Sequence, residues 1–173
     1  MKFDAQVARK VAEELVERLT PACERIEIAG SLRRRKPMVG DIELVCIPKY
    51  DGVLDMLDQA IRGLMFNGVL DYRLNKGDIR TYGPKNKLLR HVPSGIGVDV
   101  FCTTPDCWAV TLFLRTGGAA TNQRIATEAL KRGWRFQAYG RGFTTPYGEV
   151  ICHSEEDVFA SLGLPYLPPE RRP

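Results

Sequence analysis

Residues 28–48 have the sequence IAGSLRRRKPMVGDIELVCIP. It opens with Gly30-Ser31, continues with the cations of Arg33–Lys36, and ends in an alternating run that carries Asp41 and Glu43. Side chains two residues apart on a strand leave the same face, so these two carboxylates are expected to lie side by side. Glycine allows close approach of a phosphate to the backbone, and serine and arginine donate to phosphate oxygens. Because carboxylates hold Mg²⁺ through oxygen, the stretch predicts a site for a metal-bound nucleoside triphosphate.

A third acid, Asp99, lies in the apolar run V-D-V-F. An isolated buried carboxylate is costly, so Asp99 is expected at a strand end, in a cleft or paired. If its strand neighbours the strand of Asp41 and Glu43, as short connections favour, three carboxylates converge on one face. Two Mg²⁺ ions about 3.5–4 Å apart would relieve the repulsion and clamp a phosphoryl or nucleotidyl displacement. The alternative is a half-exposed strand whose acids face water, and the combination with Gly30-Ser31 and the arginines disfavours it.

Composition sets wide bounds on the function. The chain has 173 residues, of which 44% are hydrophobic and 27% charged, as is typical of one globular domain or two small subdomains. Its net charge of +4 only slightly favours a nucleic-acid partner. No apolar run approaches the roughly 18 residues of a membrane span. Residues 1–20 resemble an amphipathic helix rather than a signal peptide, so we expect no targeting segment. The five cysteines show no CxxC spacing, which indicates free thiols in a reducing, cytoplasmic compartment.

Hydrophobic periodicity and turn residues predict an α+β chain that divides near residue 104 into a sheet-rich and a helix-rich part. An irregular tail is expected over residues 165–173. Helices are predicted over residues 3–19, 53–66, 106–115 and 120–132, with one more beginning after Ser154. Strands are predicted over residues 25–29 and 41–47, with shorter ones between 70 and 102 and between 134 and 151.

The string G-S-x-R-R followed by G-D-x-[DE] resembles the palm motif of family X DNA polymerases, the DNA polymerase beta type. Lys76-Gly77, the V-D-V-F run and Thr116-Gly117 follow in the order of that family, and the ending over residues 154–170 resembles its thumb terminus. The resemblance implies a nucleotidyltransferase-type palm, a mixed sheet with flanking helices, over residues 1–104. A small helix-rich thumb over residues 105–173 would follow. An N-terminal lyase domain and a full fingers subdomain are expected to be missing.

The resemblance also implies roles for particular residues. Asp41, Glu43 and Asp99 would be catalytic and would hold two Mg²⁺ ions, with Mn²⁺ as an alternative. Each of the other residues also has a plain structural reading as a cap, an exposed helix residue or a solvated cation. The expected nucleotide contacts are Gly30, Ser31, Arg34, Gly40, Gly117 and Asn122. The expected DNA contacts are Arg33, Lys76, Arg80, Arg115 and Arg124, with Lys85, Lys87, Lys131 and Arg132 as further candidates.

Three departures from the family pattern bear on this interpretation. The second ligand is Glu43 where most members have aspartate, which moves the carboxylate by roughly an ångström and affects the strict geometry of Mg²⁺. Leu114-Arg115 stand where well-studied members carry aromatic residues before Thr-Gly, so ribonucleotide acceptance is open. Gly97 stands two residues before Asp99, where some relatives have an arginine.

The expected function is that of a Mg²⁺-dependent DNA polymerase of the repair or gap-filling type, which adds a nucleoside monophosphate to a primer 3′-end. The expected partners are a primer-template or gapped duplex and a nucleoside triphosphate. We expect a monomer that does not contact membranes, and a 5′-phosphate should change its DNA affinity little. The alternatives are a nucleotidyltransferase acting on RNA or another acceptor, and a catalytically inactive DNA-binding relative.

Overall fold

The computed structural model describes residues 1–173 and divides them into two compact units, Met1–Thr103 and Thr104–Pro173. Helices and a mixed sheet of five strands confirm the predicted α+β class. None of the helices is both long enough and apolar enough to cross a membrane.

The first unit contains three α-helices, α1 (Ala5–Leu19), α2 (Gly30–Arg33) and α3 (Met56–Phe66). A short 3-10 turn, Thr20–Ala22, follows α1. The strands are β1 (Phe3–Asp4), β2 (Cys23–Ile28), β3 (Met38–Val39), β4 (Asp41–Pro48), β5 (Tyr50–Asp51), β6 (Leu54–Asp55), β7 (Leu70–Tyr72), β8 (Asn86–His91) and β9 (Gly97–Cys102).

The main sheet of the first unit has the strand order β2-β4-β9-β8-β7. Strands β4 and β9 run parallel, and the other neighbouring pairs are antiparallel. Two small antiparallel pairs, β1 with β3 and β5 with β6, complete the unit. The sequence expectation that the two acid-bearing strands are neighbours is therefore confirmed.

Alternation along the central strands separates an apolar face from an acidic one. Ile42 and Leu44 on β4, and Val98 and Val100 on β9, are buried in one cluster with residues of α1 and α3. Their neighbours in sequence leave the opposite face, because successive side chains of a strand alternate. Burial of the apolar set therefore fixes which way the carboxylates point.

The helix predicted over residues 53–66 begins later, at Met56. Asp55 is its N-cap and accepts a hydrogen bond of 2.9 Å from the Asp58 amide. Val53 and Leu54, which were expected on the apolar stripe, are both exposed, Val53 completely. The prediction was wrong here because Asp55 caps the N-terminus of the helix, which therefore begins only after Val53 and Leu54.

The second unit packs three helices around a small antiparallel sheet with the strand order β10-β11-β12. Its core contains a group of packed aromatic rings, in which the ring of Phe113 lies edge to face against those of Phe136 and Phe159, with centroid distances of 5.8 and 5.5 Å. The α-helices are α4 (Trp108–Thr116), α5 (Ala119–Lys131) and α6 (Glu155–Ala160), and the strands are β10 (Arg135–Phe136), β11 (Gly142–Thr145) and β12 (Gly148–Ile151).

The ends of this unit differ from the sequence prediction in two ways. Helix α4 begins at Trp108 rather than 106, because a 3-10 turn over Pro105–Cys107 precedes it. The predicted irregular tail contains another 3-10 turn, Pro169–Arg171, which is followed by a buried side chain, Arg172. The tail is therefore attached to the second unit through buried Arg172 and through Leu167, which packs against its core cluster.

Candidate active site

The three predicted acids share one face of the main sheet. In the parallel pairing of β4 with β9, Glu43 lies opposite Asp99 and Asp41 lies opposite Gly97. All three acids are partly buried, while the residues between them are fully buried on the other face. Two strands that are separate in the sequence therefore present three carboxylates to the same side of the first unit.

Gly30 makes room for one of these carboxylates. It has a φ of +62°, and a Cβ built there would lie only 2.6 Å from Cδ of Glu43. The strand backbone and the turn are also joined, because the Ala29 amide donates to the Glu43 carbonyl at 2.8 Å. Gly30 thus serves two needs, a left-handed backbone and a close approach of the Glu43 side chain.

An arginine that sequence reasoning missed contacts the third acid. Arg73, just after β7, donates through Nη2 to Oδ1 of Asp99. Its guanidinium lies over Gly97, where a built Cβ would be 3.1 Å from Cζ of Arg73. Asp99 is therefore paired, one of the three arrangements that its apolar surroundings require. The sequence signal for Arg73 is weak, since only the missing side chain at Gly97 indicates an open space beside Asp99.

The three acids are suitable ligands for a hard cation, because Mg²⁺ and Mn²⁺ prefer carboxylate oxygens. Their positions on neighbouring strands also place them on one face of the sheet. In the present side-chain positions, no group of three or more His, Cys, Asp or Glu residues lies close enough together to hold a metal ion. The reason is that Glu43 is directed at Gly30 and Asp99 at Arg73. For the three acids to bind a metal ion together, their side chains therefore have to rotate, whereas the strands that carry them are already in register.

The predicted phosphate-binding residues lie in the segment between β2 and β4. Ser31 and Arg33 are in α2, and Arg34 follows as its C-cap; all three are partly buried. Gly40 is exposed directly before Asp41, and a Cβ there would meet nothing within 4 Å. The segment keeps these donors next to the strand that carries two of the acids.

Lys87 is not available as a DNA contact. Its side chain is buried, donates to the Gly83 carbonyl at 2.9 Å and lies 3.5 Å from Asp58. Burial by itself would raise the pKa of Asp58, but hydrogen bonds from Arg62 and Tyr82 and the charge of Lys87 lower it overall. The prediction was wrong for Lys87 because its cation neutralises an internal carboxylate.

The other cations of this region are exposed. Lys76 lies in the turn between β7 and β8, and Arg80 lies further along the same connection with its guanidinium 4.4 Å from the ring centre of Tyr72. Lys85 is exposed before β8. Their positions on the surface are compatible with phosphate contacts.

In the second unit, the predicted nucleotide residues surround the junction of α4 and α5. Gly117 follows α4 with a φ of +72° and is buried, as is Thr116 before it. Asn122 is partly buried and donates through Nδ2 to the Leu114 carbonyl at 2.9 Å. Its Oδ1 is buried without a hydrogen-bond partner. Asn122 is therefore not an exposed helix residue, and its amide ties the two helices together.

The predicted DNA-contacting cations of the second unit fall into two groups. Arg124 is exposed on α5, and Arg115 is partly buried in the last turn of α4. Lys131 pairs with Glu128 at 2.7 Å, and Arg132 donates to the carbonyls of Ser161 and Leu162. Arg132 therefore has a structural role after α5, while Arg124 presents its charge to solvent.

Comparisons with known proteins agree with the fold. Residues 111–173 match the family model described as DNA polymerase beta thumb. The chain is 28% identical over 174 residues to the DNA polymerase/3′-5′ exonuclease PolX of Bacillus subtilis (strain 168). That match covers 99% of this chain and 28% of the relative's length. Among solved structures, polymerase beta of Leishmania infantum in a ternary P/T complex superposes with a TM-score of 0.74 at 21% identity, covering 100% of this chain and 77% of that one.

Proposed function

Because the chain is a family X DNA polymerase-like protein, we propose that it is a Mg²⁺-dependent nucleotidyltransferase that extends the 3′-end of a DNA primer along a template. The observation that carries the proposal is the register of β4 with β9, which sets Glu43 opposite Asp99 and Asp41 on the same face. In this proposal the first unit is the palm and the second is the thumb. The DNA partner is inferred from the ternary P/T complex of the Leishmania infantum relative.

The proposed reaction forms a bond between the primer 3′-oxygen and the α-phosphorus, and breaks the bond to the leaving pyrophosphate. Bound at Asp41, Glu43 and Asp99, two Mg²⁺ ions would supply Lewis-acid activation and charge stabilisation. Asp99 is the proposed acceptor of the hydroxyl proton, since its strand is the further of the two from the Gly30–Arg34 segment.

The Gly30–Arg34 segment is the proposed binding site for the β- and γ-phosphates. Ser31 and Arg34 carry the donors, and arginine binds phosphate oxygens through a planar fork. Arg34 is proposed to stabilise the negative charge that develops on pyrophosphate as it leaves. Gly117 and Asn122 are proposed to contact the sugar and the base edge of the incoming nucleotide.

The test is a primer-extension assay in which wild type and Asp99→Asn are compared on the same templated DNA. Asp99→Asn keeps the size of the side chain but removes its charge, so extension should fall by at least about 10³-fold. DNA binding, followed by fluorescence anisotropy, should stay within about threefold because no phosphate contact is removed. The matched control is Asp71→Asn, since that acid is 54% exposed on β7. Extension by Asp99→Asn at the wild-type rate would overturn the proposal.

The acceptor and the sugar are tested by parallel reactions with single-stranded DNA, an RNA primer and ribonucleotides. Leu114-Arg115 in place of aromatic residues motivates the ribonucleotide reaction. Extension of RNA at a higher rate than templated DNA would favour the alternative acceptor.

One observation favours the alternative that the protein is a catalytically inactive DNA-binding relative. Asp99 pairs with Arg73, and the acids are not grouped closely enough to hold a metal ion. Calorimetric titration with Mn²⁺ and a nonhydrolysable triphosphate distinguishes an inactive relative from an active enzyme. Absence of binding, together with absence of extension, would support the inactive relative.

A further inference from the structure

The four consecutive cations of residues 33–36 divide between two environments. Arg33 ends α2 and Arg34 caps it, and both are partly buried, whereas Arg35 and Lys36 are exposed. The division occurs at Arg35, which has a φ of +57°. Few residues other than glycine adopt this conformation, and those that do are concentrated at functional sites. Neither Arg35 nor Lys36 has a role in the proposed function.

The side chains of Arg35 and Lys36 line an open pocket of about 450 Å³ together with Arg9 of α1. The other lining residues are Ala5, Gln6 and Pro37. These six residues form the basic pocket, which contains three cations and no acid. The acid that precedes α1, Asp4, is engaged in capping the helix, because its Oδ1 accepts hydrogen bonds from two backbone amides of the first turn. A cleft lined by charges of one sign concentrates counter-ions, so the basic pocket attracts anions.

Hydrogen bonds between distant segments hold the cations of the basic pocket together. Arg9 donates through Nη2 to the Leu32 carbonyl at 2.7 Å, which uses one N–H of a guanidinium that has five. The Ala5 amide donates to the Pro37 carbonyl at 3.0 Å, which attaches the turn after α2 to the start of α1. The fold therefore brings the cation of α1 to the two exposed cations of the turn.

The lining of the basic pocket favours a backbone phosphate of nucleic acid over a base or a small anion. None of its residues is aromatic, so a base has no ring on which to stack. Contacts from arginine and lysine to phosphate oxygens position a strand without reading its sequence. A DNA strand also gains affinity from the counterions that it releases, whereas a small anion has no condensed counterions to release.

We propose that the basic pocket binds a backbone phosphate of the DNA, in addition to the Gly30–Arg34 site for the triphosphate. The proposal rests on the proposed function, because that function supplies the DNA partner. Arg9, Arg35 and Lys36 share the phosphate contact. Their charges act on DNA binding and not on the chemical step, so their loss raises the KM for DNA and leaves kcat unchanged.

The experiment measures binding of a labelled primer-template by fluorescence anisotropy, at salt concentrations between about 50 and 200 mM. Arg35→Gln combined with Lys36→Gln should reduce the slope of the logarithm of the DNA-binding constant against log salt by about 0.9, since one phosphate contact is lost. Arg35→Lys combined with Lys36→Arg keeps both charges and should keep the wild-type slope. Lys10→Gln is the matched control, because Lys10 is exposed on α1 one residue after Arg9 and does not line the pocket. Its slope should equal that of wild type.

Two further measurements distinguish DNA from a free phosphate compound as the occupant. In single-nucleotide extension, Arg35→Gln combined with Lys36→Gln should raise the KM for DNA and keep kcat within about threefold of wild type. In calorimetry, the same variant should bind a nonhydrolysable triphosphate with Mn²⁺, and inorganic pyrophosphate, within about threefold of the wild-type Kd, because these ligands occupy a different site.

An unchanged slope in the variant that lacks both charges, or an equal decrease in Lys10→Gln, would overturn the proposal. Weaker binding of the triphosphate or of pyrophosphate at an unchanged DNA slope would overturn it as well, because the occupant would then be a free phosphate compound. A wild type that binds DNA with the expected slopes but extends no primer would overturn the proposed function and leave the basic pocket as a DNA site. A wild type that binds no DNA would overturn both.

Discussion

Replacement of Arg172 by alanine is expected to destabilise the protein strongly. The Arg172 side chain is fully buried, and its Nη1 donates to Oε2 of Glu155 at 2.6 Å. Its Nε donates to the Leu167 carbonyl at 2.8 Å. The guanidinium also lies 5.2 and 5.5 Å from the ring centres of Phe113 and Phe159. One side chain therefore joins the end of the chain, the first turn of α6 and the aromatic core of the second unit.

The expected loss of unfolding free energy follows from the contacts that Glu155 loses when Arg172 is replaced. Glu155 is only 8% exposed and would be left buried without its cation. Removal of one partner of a buried ion pair costs about 3–5 kcal/mol. For a chain of this size, 1 kcal/mol shifts the melting temperature by about 2–4 °C, so the expected decrease is about 6–20 °C.

The assay is thermal and urea unfolding followed by circular dichroism, with two comparison variants. Arg171→Ala removes an exposed arginine one residue earlier and should stay within about 0.5 kcal/mol of wild type. Arg172→Met combined with Glu155→Leu removes both charges and should recover most of the loss. An unfolding free energy of Arg172→Ala within 1 kcal/mol of wild type, roughly the usual error, would contradict this role of Arg172. A double variant no more stable than Arg172→Ala would contradict it too.

Three further predictions concern the site, the core and the DNA surface. Gly30→Ala and Gly52→Ala both place alanine at positive φ, so each variant should lose about 1–2 kcal/mol of unfolding free energy in urea. Only Gly30→Ala crowds the Glu43 side chain, so only this variant should also lower the rate of primer extension, at least about tenfold. Burial lowers the pKa of His91, so its neutral form is favoured in the folded state and the unfolding free energy should decrease as pH falls below about 6.5. His91→Gln should show a shallower decrease over the same range, and an identical profile would contradict the assignment. Arg124→Gln should weaken binding to all DNA sequences alike, and should reduce the slope of the logarithm of the DNA-binding constant against log salt by about 0.9. An unchanged slope would show that Arg124 does not contact a DNA phosphate.

The acidic face could be predicted from the sequence because it depends on the simplest periodicity of a strand. Asp41 and Glu43 are two residues apart, and the apolar residues between and around them specify which face is buried. The neighbouring position of Asp99 needed one further assumption, a short connection between sheet neighbours, and the pairing of β4 with β9 confirms it. The five free cysteines are confirmed as well.

Contacts between distant segments could not be predicted in the same way. Arg73 meets Asp99 only because β7, β8 and β9 pair in a particular register, and no local pattern encodes that register. Lys87 resembles the exposed cations around it in the sequence, and its burial beside Asp58 follows from its strand position. Arg172 looks like part of a polar tail, although the helical residues that it contacts lie 13 to 59 residues earlier.

Whether the three acids form a metal site is best tested by a crystal structure with a primed DNA template, a nonhydrolysable nucleoside triphosphate and Mn²⁺, with the metal ions located by anomalous scattering. We expect two Mn²⁺ ions about 3.5–4 Å apart, bound by Asp41, Glu43 and Asp99, with the triphosphate against the Gly30–Arg34 segment. Anomalous peaks elsewhere, or a triphosphate bound with none of the three carboxylates as ligands, would contradict it.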